Sequence, residues 1–133
     1  MTGYILDTDT VSAMVRNPAG KITSHIARVG EDSVSLSIVT AAELRFGAAK
    51  SGSSRLLARV EALLRRMPIL PLDVPVDAEY GSIRAALEAA GRPIGPNDLL
   101  IGAHARALGA TVVTGNIDEF RRIPGLSVEN WMA

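Results

Sequence analysis

The sequence predicts an α/β fold: one three-layer α/β/α domain with a central parallel sheet and helices on both faces. Three observations carry that reading. Short apolar runs alternate with longer amphipathic stretches along the 133 residues. No tight hairpin turn separates consecutive strand candidates, so the connections are crossovers, as parallel pairing requires. Four acidic positions border apolar segments at the ends of strands or the starts of helices. In a parallel sheet such ends gather at one edge, which is where ligands bind.

The elements follow in order. Gly3-Tyr4-Ile5-Leu6-Asp7 reads as the first strand, with Asp7 directly at its end. Gly30 stops a helix before the second strand, Ser33-Val34-Ser35-Leu36-Ser37, because glycine enters a left-handed cap without strain. Thr40-Ala41-Ala42-Glu43 fits a capping box, which puts Glu43 in the first turn of the next helix. Leu56, Leu57, Val60, Leu63, Leu64 and Met67 recur at helical spacing and predict a helix within residues 53–67. Ile69 to Leu72 is a strand. Val76, Tyr80, Ile83 and Leu87 predict a helix over 76–90, stopped by Gly91. Pro93-Ile94-Gly95-Pro96 cannot be helical, so Asp98 opens the following helix, which ends at Gly109. Thr111 to Thr114 and Leu126 to Glu129 complete the sheet. The expected flexible spots are Lys50 to Ser54 and Gly91 to Pro96. With no linker in view, residues 1–133 form a single domain.

Composition narrows the function. Charged residues make up 21% of the chain and the formal net charge is zero, so any attraction for nucleic acid comes from local arginines or bound metal, not from a global field. There is no cysteine, which excludes disulfides, thiolate metal sites and thiol nucleophiles. The opening segment Thr2 to Asp7 has neither the basic start nor the long apolar run of a signal peptide. No apolar stretch reaches the ~18–20 residues that span a bilayer. A cytoplasmic location is the expectation. No nucleophile elbow, dinucleotide fingerprint or phosphate-cradling loop occurs.

What remains are the acids Asp7, Glu43 and Asp98, and Asp118 or Glu119 after Thr114-Gly115-Asn116. Two carboxylates ~4 Å apart at an effective dielectric of ~20 repel by roughly 4 kcal/mol. A fold tolerates such crowding when hard divalent cations, which prefer oxygen ligands, occupy the gap. The residues therefore point to magnesium or manganese. Simpler readings stand beside this one. Glu43 is a cap partner, and Asp98 is a helix-start aspartate favoured by the dipole. Asp7 has no cap partner evident in the sequence. Asp7-Thr8-Asp9-Thr10-Val11 also matches haloacid-dehalogenase-type phosphatases, with Asp7 as nucleophile and Asp9 as acid–base. That chemistry needs a cation at the phosphoryl group, and Lys21 and Lys50 are the only lysines. His104, in a mostly apolar helix, reads as a packed or hydrogen-bonded core residue. Arg55, Arg59, Arg65 and Arg66 read as a solvated helix face.

In ordered set, the motifs resemble PIN-domain ribonucleases, in particular the VapC toxins of bacterial toxin–antitoxin pairs. The marks are Leu6-Asp7-Thr8, Ser37-Ile38-Val39-Thr40-Ala41-Ala42-Glu43-Leu44-Arg45-Phe46-Gly47, and Gly91-Arg92-Pro93-Ile94-Gly95-Pro96-Asn97-Asp98. They continue through Ile101-Gly102-Ala103-His104-Ala105, Val113-Thr114-Gly115-Asn116, Glu119-Phe120 and Pro124 to Trp131. The resemblance implies a PIN-like domain and a Mg²⁺- or Mn²⁺-dependent endoribonuclease. Its metal-binding and catalytic acids are then Asp7, Glu43 and Asp98. The family's fourth acid falls here at Asn116, with Asp118 and Glu119 just beyond as candidate ligands. Asp9 stands where the family commonly has asparagine. Thr8, Thr40 and Thr114 are expected to orient carboxylates or water. Resemblance further implies an RNA substrate (a tRNA anticodon loop in some relatives), a cognate VapB-like antitoxin, a homodimer, and a heterotetramer or larger assembly with the antitoxin. A catalytically inactive PIN-like interaction module is the remaining alternative.

Overall fold

The computed structural model describes residues 3–132. Residues 1, 2 and 133 of the expected domain lie outside that range. Among the described residues, β1 (Tyr4–Leu6) is followed by α1 (Thr8–Arg16), α2 (Lys21–Val29), β2 (Val34–Ser37), α3 (Ile38–Ser51) and α4 (Ser54–Arg66). Then come β3 (Ile69–Leu70), α5 (Val76–Ala89), α6 (Pro96–Leu108), β4 (Thr111–Val113), α7 (Ile117–Phe120) and β5 (Val128–Glu129). The five strands form one sheet in the order β3-β2-β1-β4-β5, and every pairing is parallel. Each expected strand exists, trimmed by one to two residues at its ends.

Alternation along the strands divides the core. Leu6, Leu36 and Val113 face one side, where they pack with Val11, Met14, Ile22, Ile26, Leu44, Val60, Leu64 and Trp131 under α1 to α4. Ile5 and Val112 face the other, against Ile83, Leu87, Leu99, Ile101, Phe120 and Ile123 under α5 to α7. Burial on both faces is what a central parallel sheet demands. The chain leaves β1 in one direction to build β2 and β3, then returns to add β4 on β1's other side. The reversal of strand order opens a crevice at the carboxyl ends of β1 and β4, the place where doubly wound sheets bind ligands.

Local signals behave largely as expected. Gly30, Gly91 and Gly109 all have positive φ, between 66 and 95°. Pro96 is the first residue of α6. Gly52 in the left-handed region and Ser53 as N-cap make residues 50–54 a compact turn between α3 and α4. The capping box does not form. β2 runs directly into α3, and Ser37 takes the N-cap position by accepting from Val39 N at 3.2 Å. Glu43 therefore sits in the second turn of α3, not the first, and its side chain is released from capping.

Candidate active site

Asp7 is the anchor. It leaves the central strand with its N–H bonded to Val113 O at 3.0 Å, and its side chain is 2% exposed. Contrary to the sequence expectation, it does cap a helix: Oδ1 accepts from Thr10 N at 2.9 Å as the N-cap of α1. Oδ2 accepts from Thr114 Oγ1 at 2.5 Å, across to the end of β4. Burial raises the Asp7 pKa, the Thr114 and Thr10 hydrogen bonds oppose that, and the nearby Asp9 charge adds to it. Thr114 Oγ1 in turn accepts from Asn116 N at 2.8 Å, so one buried hydroxyl ties the loop after β4 to Asp7.

Glu43 reaches the same region from α3. Oε1 accepts from Thr8 Oγ1 at 2.5 Å, and Oε2 from Asn97 Nδ2 at 3.0 Å. Asp98 lies in the first turn of α6, and its pKa is pushed up to about 7 by burial, then by the charges of Glu119, Asp7, Glu43 and Asp9. Glu119 accepts from Gly95 N at 2.9 Å through Oε1 and from Asn116 Nδ2 through Oε2. Arg122 Nη1 also donates to Pro93 O at 3.0 Å, so the Pro93–Gly95 stretch is held at two points.

The structure thus brings together Asp7, Glu43, Asp98 and Glu119, with Asp9 exposed at the rim. Of the three candidates after β4, Glu119 joins the cluster. Asn116 serves by holding Glu119, and Asp118 is exposed and acts on none of these groups. Thr8 and Thr114 orient carboxylates as expected. Thr40 does not, for its buried hydroxyl has no partner. Asn97 and the Gly95 N–H were missed as carboxylate donors. The only sequence signal was their position beside Asp98 at a helix start.

No described cation balances this charge. The ion pairs among the described residues, Arg45–Glu61, Arg66–Glu31, Arg84–Glu88 and Arg106–Glu79, all lie elsewhere. Lys21 opens α2 and Lys50 closes α3, so the phosphatase reading lacks the cation it needs. The arginines of α4 are exposed, as expected of a solvated face. His104 is 2% exposed, as expected of a core histidine, and burial lowers its pKa. Among the described residues no three His, Cys, Asp or Glu side chains close on a single point that would hold an ion. Asp7, Glu43 and Glu119 are each turned toward their own hydrogen-bond donors. The donor set is all oxygen and uncompensated, which fits a hard divalent cation and not a thiolate or imidazole metal.

A profile of the family described as PIN domain matches residues 4–126. The tRNA(fMet)-specific endonuclease VapC of Salmonella typhimurium is 37% identical over 132 residues, covering 98% of this chain and 99% of that one. Ribonuclease VapC2 of Rickettsia felis is 37% identical over 130 residues, covering 96% and 97%. The crystal structure of DNA-bound VapBC from Salmonella typhimurium superposes with a TM-score of 0.92 at 37% identity, covering 98% of this chain and 99% of that chain. End-to-end coverage, common topology and the acids at the crevice lead to one assignment: the chain belongs to the PIN-domain family, within its VapC branch.

Proposed function

We propose that this protein is a divalent-metal-dependent endoribonuclease, the toxin of a toxin–antitoxin pair. The observation that carries the proposal is the set of hydrogen-bonded acids at the carboxyl ends of β1 and β4: Asp7 on Thr114, Glu43 between Thr8 and Asn97, and Glu119 on Gly95, with Asp98 next to Asn97. When bound, Mg²⁺ or Mn²⁺ supplies positive charge that polarises the scissile phosphodiester and the attacking water. The chain's own residues prepare that site. Asp7 is immobilised by a backbone amide and the Thr114 hydroxyl, so it would be a rigid metal ligand. Asp98 from α6 and Glu119 from α7 would serve as further ligands. Glu43, turned by Thr8 and Asn97, holds or activates the water. In-line attack leaves a 5′-phosphate and a 3′-hydroxyl.

The relative from Salmonella typhimurium is named for tRNA(fMet), which supports a transfer RNA anticodon loop as substrate here. An unpaired loop suits recognition by shape and splayed bases. VapBC complexes among the solved relatives support a VapB-like antitoxin as partner. The groove between α1, α2 and α4 encloses about 300 Å³ lined by Met14, Val15, Ile26, Ala62, Leu63 and Met67. Asp7, Glu43, Asp98 and Glu119 are not among its lining residues, and it suits the apolar face of an antitoxin helix. No helix among the described residues is long and apolar enough to cross a membrane, and the proposed site of action is the cytoplasm.

The test is cleavage of total RNA by antitoxin-free protein with Mn²⁺ or with chelator, mapping new 5′ ends. Wild-type protein cuts only with metal. Asp7→Asn keeps its fold and does not cut; full activity in that variant, with purity controlled, would falsify the assignment.

A further inference from the structure

The catalytic reading leaves one buried polar pair unused. His104 Nδ1 lies 2.9 Å from Ser37 Oγ, with the two residues 2% and 0% exposed. His104 belongs to α6, six residues after Asp98, and Ser37 caps α3, six residues before Glu43. Six residues of α-helix advance about 9 Å. The two helices are joined a second time by Asn97 Nδ2 on Glu43 Oε2 at 3.0 Å. The pairings run in opposite senses, 37 with 104 and 43 with 97, as two rungs between two antiparallel segments. One rung stands at the acids; the other is buried about two turns away.

We propose that His104 is a positioning residue: through Ser37 it fixes the rotation and spacing of α3 against α6, and so the placement of Glu43 relative to Asp98. The inference rests on the reading of those two acids as catalytic. Proton counting supports a fixed arrangement. Burial keeps the ring neutral, so it carries a single N–H. Ser37 Oγ accepts from Val39 N at 3.2 Å, which leaves its own proton available to His104 Nδ1 with the ring protonated on Nε2. The reverse tautomer, with Nδ1–H donating to Ser37 Oγ, keeps the same 2.9 Å rung. A single rung at the exposed end leaves the helices free to pivot, and small misplacements of reacting groups are expensive in rate.

The test uses full-length protein, pooled transfer RNA and Mn²⁺, measuring kcat, KM, the Mn²⁺ concentration for half activity, and Tm. His104→Ala is expected to lower kcat by about 10- to 100-fold, to leave KM within about threefold, and to raise the Mn²⁺ requirement. His104→Asn, whose amide reaches the Nδ1 position, restores most of the kcat. A merely structural role predicts no such rescue beyond the recovery of Tm. Folded His104→Ala with wild-type kcat overturns the inference, as does equal loss of kcat in both variants. If His104→Ala does not fold, His104→Asn decides: near wild-type kcat supports the rung, and deep loss in a folded protein sinks it. Wild-type protein that neither cuts RNA nor is stabilised by Mn²⁺ overturns the reading of the site itself, an outcome distinct from wild-type cleavage that the His104 variants leave unchanged.

Discussion

Replacing Asp98 by asparagine should stabilise the metal-free protein at alkaline pH, by an amount that shrinks as the pH falls toward 4. Asp98 is lifted from 3.8 to about 7 by burial and by four neighbouring carboxylates. A tenfold change in proton affinity is worth about 1.4 kcal/mol, so that lift carries at most about 4 kcal/mol. Water reaching the half-buried side chain screens this to about 1–2 kcal/mol. Loss of a favourable charge at the start of α6 takes back about 0.5 kcal/mol. The sign follows from linkage. A carboxyl whose folded pKa is raised binds more protons folded than unfolded, so its stability is full below pH 4 and is lost as pH rises to about 7. The assay is thermal melting in chelator at pH 5 and pH 8. Asp98→Asn should melt above wild type at pH 8 by about 3–6 °C, and by roughly a third of that at pH 5, where only part of the linkage has been lost. His104, whose folded pKa is lowered, imposes the opposite slope below pH 6.5, but it does so in both proteins and cancels in the difference. With Mn²⁺ at about 100 times its Kd, wild type should gain roughly 2.7 kcal/mol and the variant clearly less. A variant that melts no higher than wild type at pH 8 in chelator, or that gains as much from Mn²⁺, refutes the crowded-acid account.

Other perturbations separate the parts. Thr114→Val removes a hydroxyl that donates to the buried Asp7 carboxylate. It should cost about 1.5–3 kcal/mol in chelator melts and slow cleavage at neutral pH more than at alkaline pH, because Asp7 then holds its proton more tightly. Leu63→Asp puts a charge into the groove between α1, α2 and α4. Antitoxin binding by calorimetry should weaken by at least tenfold while RNA cleavage is unchanged. A β-carbon on Gly102 would run into Cδ1 of the buried Ile123, so Gly102→Ala should lower stability by about 1–3 kcal/mol in denaturant titrations.

The framework was legible because it rests on local rules. Apolar runs marked every strand, and glycines at positions 30, 91 and 109 marked helix ends. Val76, Ile83 and Leu87 face the core as their spacing required, although Leu57 stays 43% exposed. The acids could be named as converging, but not sorted. Choosing Glu119 over Asp118 required the backbone of α7, four residues whose sequence carries no helical period. The dual duty of Asp7 was hidden because α1 begins one residue later and its cap donor, Thr10, sits in a stretch read as a motif. Thr40 was placed in a cap that Ser37 already occupied. These misses share a cause: a side chain's partner depends on where backbone amides fall, and a one-residue shift in a helix start reassigns them.

Because the chain enters α3 with no spacer after β2, Glu43 is indexed to the sheet by residue count. Inserting or deleting one residue between Leu36 and Glu43 would swing the carboxylate about 100° around the helix and 1.5 Å along it. Variants of this stretch can change letters more freely than length. Chain growth has room in the turn at residues 50–54 instead, downstream of the acid and outside its count.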